Sequence, residues 1–340
     1  MSEICGTKCH THTKMILDIA RHKFYEGLLT LFATTIMLMV MLVASTGDSG
    51  IAVAPESNVM SLISSSTLGS GFLEGTIVVI IYVLSVLTLA RFTIRTRIYP
   101  TSTMAPMALC AVMMLPMIVV GDPLHQAVVV MLLTIALGNM FFCFSHRKCI
   151  HRLFAAMIAS GTLAVVDGSL VVIPVVMCFV LIAARKKFRE AAATVVGMLL
   201  PIFTLCYVEW LLGGGFGDSA LLWWRGITAD LSLNILDNLT LTRMIYIAFI
   251  IFLQATSMVL NVTYRDLHTS VVRGAWRALQ LLFIGVLCSI LLLPSAADSS
   301  LTALVVIAAS MLTMYFINCG PFVAIVSYVA LLSLAVAAAL

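Results

Sequence analysis

Long charge-free apolar runs leave this chain one solvent and one kind of secondary structure. About eleven of them follow one another from residue 27 to residue 340, most of them roughly 17 to 22 residues long. At about 1.5 Å of helical rise per residue, such a run crosses a hydrocarbon core about 30 Å thick. Lipid offers no partner to an unpaired N–H or C=O, so each run must close its own hydrogen bonds as an α-helix. Composition points the same way: 62% of the residues are hydrophobic and 10% are charged, against about a quarter charged in a soluble domain. The expectation is an all-α polytopic bundle of about 11 transmembrane helices, with a basic cytoplasmic tail over 1–26 and a single transmembrane domain over 27–340.

The spans read as 27–44, 73–90, 104–120, 126–144, 153–166, 168–184, 191–212, 244–262, 278–294, 301–317 and 322–340. The fifth and sixth form one nearly continuous apolar stretch. A turn at Asp167-Gly168 divides it in two, and only that count keeps every later loop on its charge-consistent side. The first run is preceded by 26 residues and is long enough to span, so it reads as a signal anchor.

Loop charge gives the orientation independently of hydropathy. Basic residues gather before the first span (Lys8, Lys14, Arg21, Lys23) and after the second (Arg91, Arg95, Arg97), the fourth (Arg147, Lys148, Arg152), the sixth (Arg185, Lys186, Lys187, Arg189) and the eighth (Arg265, Arg273, Arg277). Thus 17 of the 19 basic residues lie in alternate loops, the pattern of cytoplasmic segments; Arg225 and Arg243 are the two outside it. Ten of the 15 acidic residues fall in or beside the opposite loops, which places the N-terminus in the cytoplasm and the C-terminus outside. The expected location is a bacterial inner membrane. The net charge of +4 reflects topology and lipid head groups, and no nucleic-acid binding is read from it. None of the nine cysteines lies in an outer loop, so no structural disulfide is expected.

The candidate sites lie mostly on the outer face. The first outer loop, 45–72, carries Asp48 and Glu56, with Glu74 at the mouth of the second span; a carboxylate there can serve as a general base, or simply keep the loop solvated. The longest outer loop, 213–243, pairs Trp223 and Trp224 with a stretch that reads as an interfacial amphipathic helix. Its Arg225 is suited to gripping a phosphate through two hydrogen bonds, or to pairing with Asp218 or Asp230. Asp122 and Asp167, at outer helix ends, are further candidates for contacting a substrate. Cys5, Cys9, His10 and His12 offer four zinc-type ligands in a tail that otherwise reads as unstructured, and no metal or other cofactor is expected. Nucleotide-binding glycine loops, serine nucleophile motifs and metalloprotease motifs are not found.

One pattern goes further. Residues 151–212 run from His151-Arg152 through an apolar helix with Gly161, the Asp167-Gly168 turn, an apolar helix with Pro174, the basic turn Arg185 to Arg189, and an apolar helix with Gly197 and Pro201. This order resembles the central helices of the GT-C superfamily of membrane glycosyltransferases, and an uncharacterised family of bacterial multipass proteins with the same layout. The resemblance implies a polyprenyl-phosphate-linked sugar donor, an active site at the outer face and a base in the first outer loop: Asp48 by position, then Glu56, with Arg225 on the donor phosphate. The competing classes are a transporter or flippase of an envelope precursor, which requires a polar path through the bilayer, and a non-catalytic membrane scaffold.

Overall fold

A computed structural model of the chain describes residues 24–46, 71–96, 99, 103–119, 122–146, 149–185, 188–218, 220–221, 224, 240–263, 270–292 and 297–339. Eleven α-helices lie among them, and no strand. They are α1 (Phe24–Thr46), α2 (Gly71–Thr96), α3 (Ala105–Val119), α4 (Pro123–Ser145), α5 (Ile150–Val166), α6 (Val172–Arg185), α7 (Phe188–Leu211), α8 (Leu241–Thr263), α9 (Ser270–Leu292), α10 (Ala297–Asn318) and α11 (Pro321–Ala339), with a 3₁₀ turn at Gly168–Val171. Seven are long and apolar enough to cross a membrane. The chain is a multi-pass membrane protein.

Local chemistry sets the breaks. Asp122 caps α4, its carboxylate accepting from the N–H groups of Leu124 and His125, and Pro123 starts the helix where a missing N–H costs nothing. The apolar stretch 150–185 divides at Asp167, where the backbone turns extended (φ −139°, ψ 110°) and the carboxylate accepts from the Ser169 N–H to open the 3₁₀ turn. Two helices therefore occupy this stretch, as the loop charges require.

Two helices form the centre. α3 is buried from Ala105 to Ile118, enclosed by α1, α2, α4, α10 and α11. At 15 residues it rises about 22 Å, short of a full hydrocarbon core, which it can be because protein rather than lipid surrounds it. α10 is buried from Ser299 to Phe316 among α3, α4, α8 and α9. Three tyrosines fasten this pair to its neighbours: Tyr82 donates to the Ala111 carbonyl (2.7 Å), Tyr246 to that of Met113 (2.9 Å) and Tyr99 to that of Ser310 (2.6 Å). At the periphery, α1, α7 and α11 expose large apolar side chains such as Phe32, Phe203 and Phe322. Oil does not drive apolar helices together, so close backbone approach has to. Between α5 and α7 a Cβ on Gly161 would lie 2.5 Å from the Met198 carbonyl, and one on Gly197 would lie 3.0 Å from the Met157 Cβ.

Candidate functional site

At the bundle end that the charge pattern places outside, the start of α4, the turn after α5, the last turns of α9 and the start of α10 come together. His125, in the first turn of α4, is aimed by the Asp122 cap. Its Nε2 lies 3.3 Å from Asp167 Oδ2 and 3.2 Å from Ser299 Oγ at the start of α10. The other Asp167 oxygen accepts from the Ser169 N–H (3.0 Å) and hydroxyl (2.6 Å). Ser289 of α9 donates to the Ser169 carbonyl, tying the turn to a fourth element. One turn deeper, Thr302 donates to Gln126 Oε1 at 2.7 Å.

The electrostatics follow from these contacts. Burial disfavours ionised Asp167, but hydrogen bonds with His125, Ser169 and Ser299, and the charge of the imidazole, outweigh it and hold the carboxyl below its ordinary value. An ionised carboxylate can only accept, so His125 Nε2 donates to Asp167 in this contact. Asp167 and Ser299 approach the same ring nitrogen, whereas a serine relay needs carboxylate and hydroxyl on opposite nitrogens. The arrangement is a carboxylate-held imidazole and not an activated serine.

Beside it, Arg243 of α8 stands 3.8 Å from Asp298, the residue preceding Ser299. A shallow cleft lined by Pro116, Met117, Arg243, Asp298 and Leu301 opens at this pair, with room for about one water molecule. That is far below the roughly 300 to 1,000 Å³ typical of small-molecule pockets, so a sugar does not fit in it.

The sequence candidates separate accordingly. Asp167 is at the centre of the cluster. Asp122 is spent on capping α4, and so positions His125. Glu74 is half-buried in the first turn of α2, where a helix N-terminus favours an acid. Asp48, Glu56, Arg225 and the Cys5, Cys9, His10 and His12 group lie outside the described residues. His125 and Ser299 were not singled out by sequence; the available signal was an imidazole three residues after an Asp-Pro helix start. Arg243 was visible only as an exception to the charge rule. Among the described residues no group of three His, Cys, Asp or Glu side chains could hold a metal, and no disulfide joins the described cysteines.

No protein family, no curated protein and no solved structure matches this chain.

Proposed function

We propose that this protein works at the outer face of a bacterial inner membrane as a GT-C-like transferase of a polyprenyl-phosphate-linked sugar, with the His125–Asp167 pair in its chemical centre. The observation that supports this reading is the pair itself. Ionisable side chains are costly within a membrane bundle and are kept chiefly where they act, and here a carboxylate and an imidazole meet at 3.3 Å from helices 42 residues apart. In such a transfer the acceptor hydroxyl gives its proton to a base, its oxygen bonds to the sugar C1, and the C1–O bond to phosphate breaks with both electrons leaving on the polyprenyl phosphate. His125, oriented by Asp167, is the first candidate for that base. Asp48 and Glu56 are the alternatives from the first outer loop, and Arg243 and Arg225 are the phosphate-binding candidates.

A second reading, a non-catalytic scaffold, draws on the solid centre: α3 presents only buried apolar side chains from Ala105 to Ile118. The same feature weighs against transport, which needs a polar path at that depth. The deciding experiment measures lipid-linked glycans in cells carrying His125→Gln, Asp167→Asn, Asp48→Asn, Glu56→Gln or Arg225→Ala at equal membrane abundance. Accumulated sugar donor in His125→Gln and Asp167→Asn is the expected result. Wild-type glycans in all five would remove the enzyme reading and leave the scaffold.

A further inference from the structure

The opposite end of the bundle carries a second constellation, independent of the transfer reading. Arg95 in the last turn of α2 and Arg152 in the first turn of α5 both stand over the ring of Phe142 on α4, with guanidinium carbons 5.9 and 5.2 Å from its centroid. His146 is stacked on the same ring, centroids 4.0 Å apart and planes within 7°. Asn139, one turn back on α4, accepts from Arg152 at 3.2 Å and fixes its fork. Two guanidinium groups have thus been brought from separate helices onto one aromatic side chain, and among the described residues no carboxylate pairs with either.

Gathering like charges costs free energy unless something anionic is shared between them. The start of α5 sharpens the point. Cys149 stands at its N-cap without a side-chain hydrogen bond to the first turn, and that turn carries His151 and Arg152. Uncapped N–H groups and the positive end of the helix dipole call for an anion there, yet the side chains supplied are basic. A phosphate satisfies both, taking N–H donors from the helix and forked hydrogen bonds from arginine. All of these groups lie at helix ends, the depth of lipid phosphates, and Arg95, His146, His151 and Arg152 are exposed while Phe142 is half-buried.

We infer that Arg95, Arg152 and the uncapped start of α5, organised around Phe142, form a binding site for the phosphate diester of an anionic lipid head group. The zwitterionic choline head group carries its own cation and competes poorly, whereas a head group with net negative charge neutralises the arginine pair.

The test uses the full chain in neutral detergent micelles, titrated separately with phosphatidylglycerol, phosphatidylcholine and sodium phosphate. Thermal midpoint and retained lipid by native mass spectrometry are the readouts. Phosphatidylglycerol is expected to raise the midpoint and stay bound, phosphatidylcholine to do neither. Combined Arg95→Gln and Arg152→Gln should weaken phosphatidylglycerol binding at least about fivefold, while Arg277→Gln, an exposed arginine elsewhere on the same side, should leave it unchanged. Arg152→Lys keeps the charge and the fold but loses the fork, and should weaken binding about threefold. Wild-type affinity in Arg152→Lys, or an equal loss in Arg277→Gln, overturns the site. Equal protection by sodium phosphate overturns the lipid as its occupant and assigns free phosphate instead.

Discussion

The Tyr246 hydroxyl on α8 donates to the backbone carbonyl of Met113 on α3 at 2.9 Å, three residues before Pro116. Proline lacks the N–H that would bond to the Val112 carbonyl, so the helix ladder of α3 is weakest in this turn. Because α3 is enclosed by protein, no lipid or bulk water reaches its backbone. A phenol from the neighbouring helix is the group that braces it.

Tyr246→Phe should therefore lower stability by about 1 kcal/mol, the usual net value of one buried neutral hydrogen bond, with the aromatic packing kept. Tyr207→Phe on the exposed face of α7 should change it by less than about 0.5 kcal/mol. Thermal midpoints in one detergent compare the two. Equal values for both would mean that the α3 brace contributes nothing.

How far the fold can be read from the residues depends on which solvent does the sorting. Water separates apolar from charged positions sharply, so the apolar runs mark the helices, and Asp167 announces a turn by interrupting an apolar stretch. Hydrocarbon and protein interior both accept apolar side chains, so nothing in the hydrophobicity of α3 marks it as central or of α11 as peripheral. For the same reason the site is half legible. Asp167 stands out as a carboxylate at a helix end, but its meeting with His125 and Ser299 depends on α4 and α10 lying side by side, although those two partners are 174 positions apart in the chain.

Asp167 gives its cluster with His125 a pH dependence of definite sign. Its carboxyl is more acidic in the folded protein than in the unfolded chain, so ionisation stabilises the fold above the ordinary carboxylate range. That contribution is lost as pH falls through this range toward the lower folded value. The thermal midpoint should drop as pH falls through and below the ordinary carboxylate range, and Asp167→Asn should flatten the drop. At neutral pH the same variant should cost about 1 to 3 kcal/mol, because the Ser169 and His125 donors lose an ionised acceptor. An unaltered acid profile in Asp167→Asn would place the titration elsewhere.

The Arg243–Asp298 pair should matter little for stability. Asp298 has 56% of its side chain exposed, and water screens a 3.8 Å contact of that kind. Asp298→Asn is expected to move stability by less than about 1 kcal/mol. If the cleft beside the pair takes an anionic group, Arg243→Gln should instead reduce function at unchanged abundance, as scored by the lipid-linked glycan measurement. A large fall in thermal midpoint with intact function would make Arg243 structural.

The contact between α5 and α7 separates close approach from ordinary helix propensity. Gly161→Ala puts a methyl 2.5 Å from the Met198 carbonyl, and a backbone atom cannot rotate away, so the helices must part and the Gly197 contact is lost with them. The expected cost is about 1 to 3 kcal/mol, the range for overpacking a close-packed interior. Gly75→Ala on α2 is the matched control: nothing lies within 4 Å of its Cβ, so the substitution should be neutral or stabilising by up to about 1 kcal/mol from helix propensity alone. Pulling α7 from α5 would also expose small and polar groups to lipid along a helix already bare on its other side, so Gly161→Ala should speed proteolysis in the basic turn before α7. Matching midpoints for the two glycine variants would show that α7 is held by lipid pressure and not by this backbone contact.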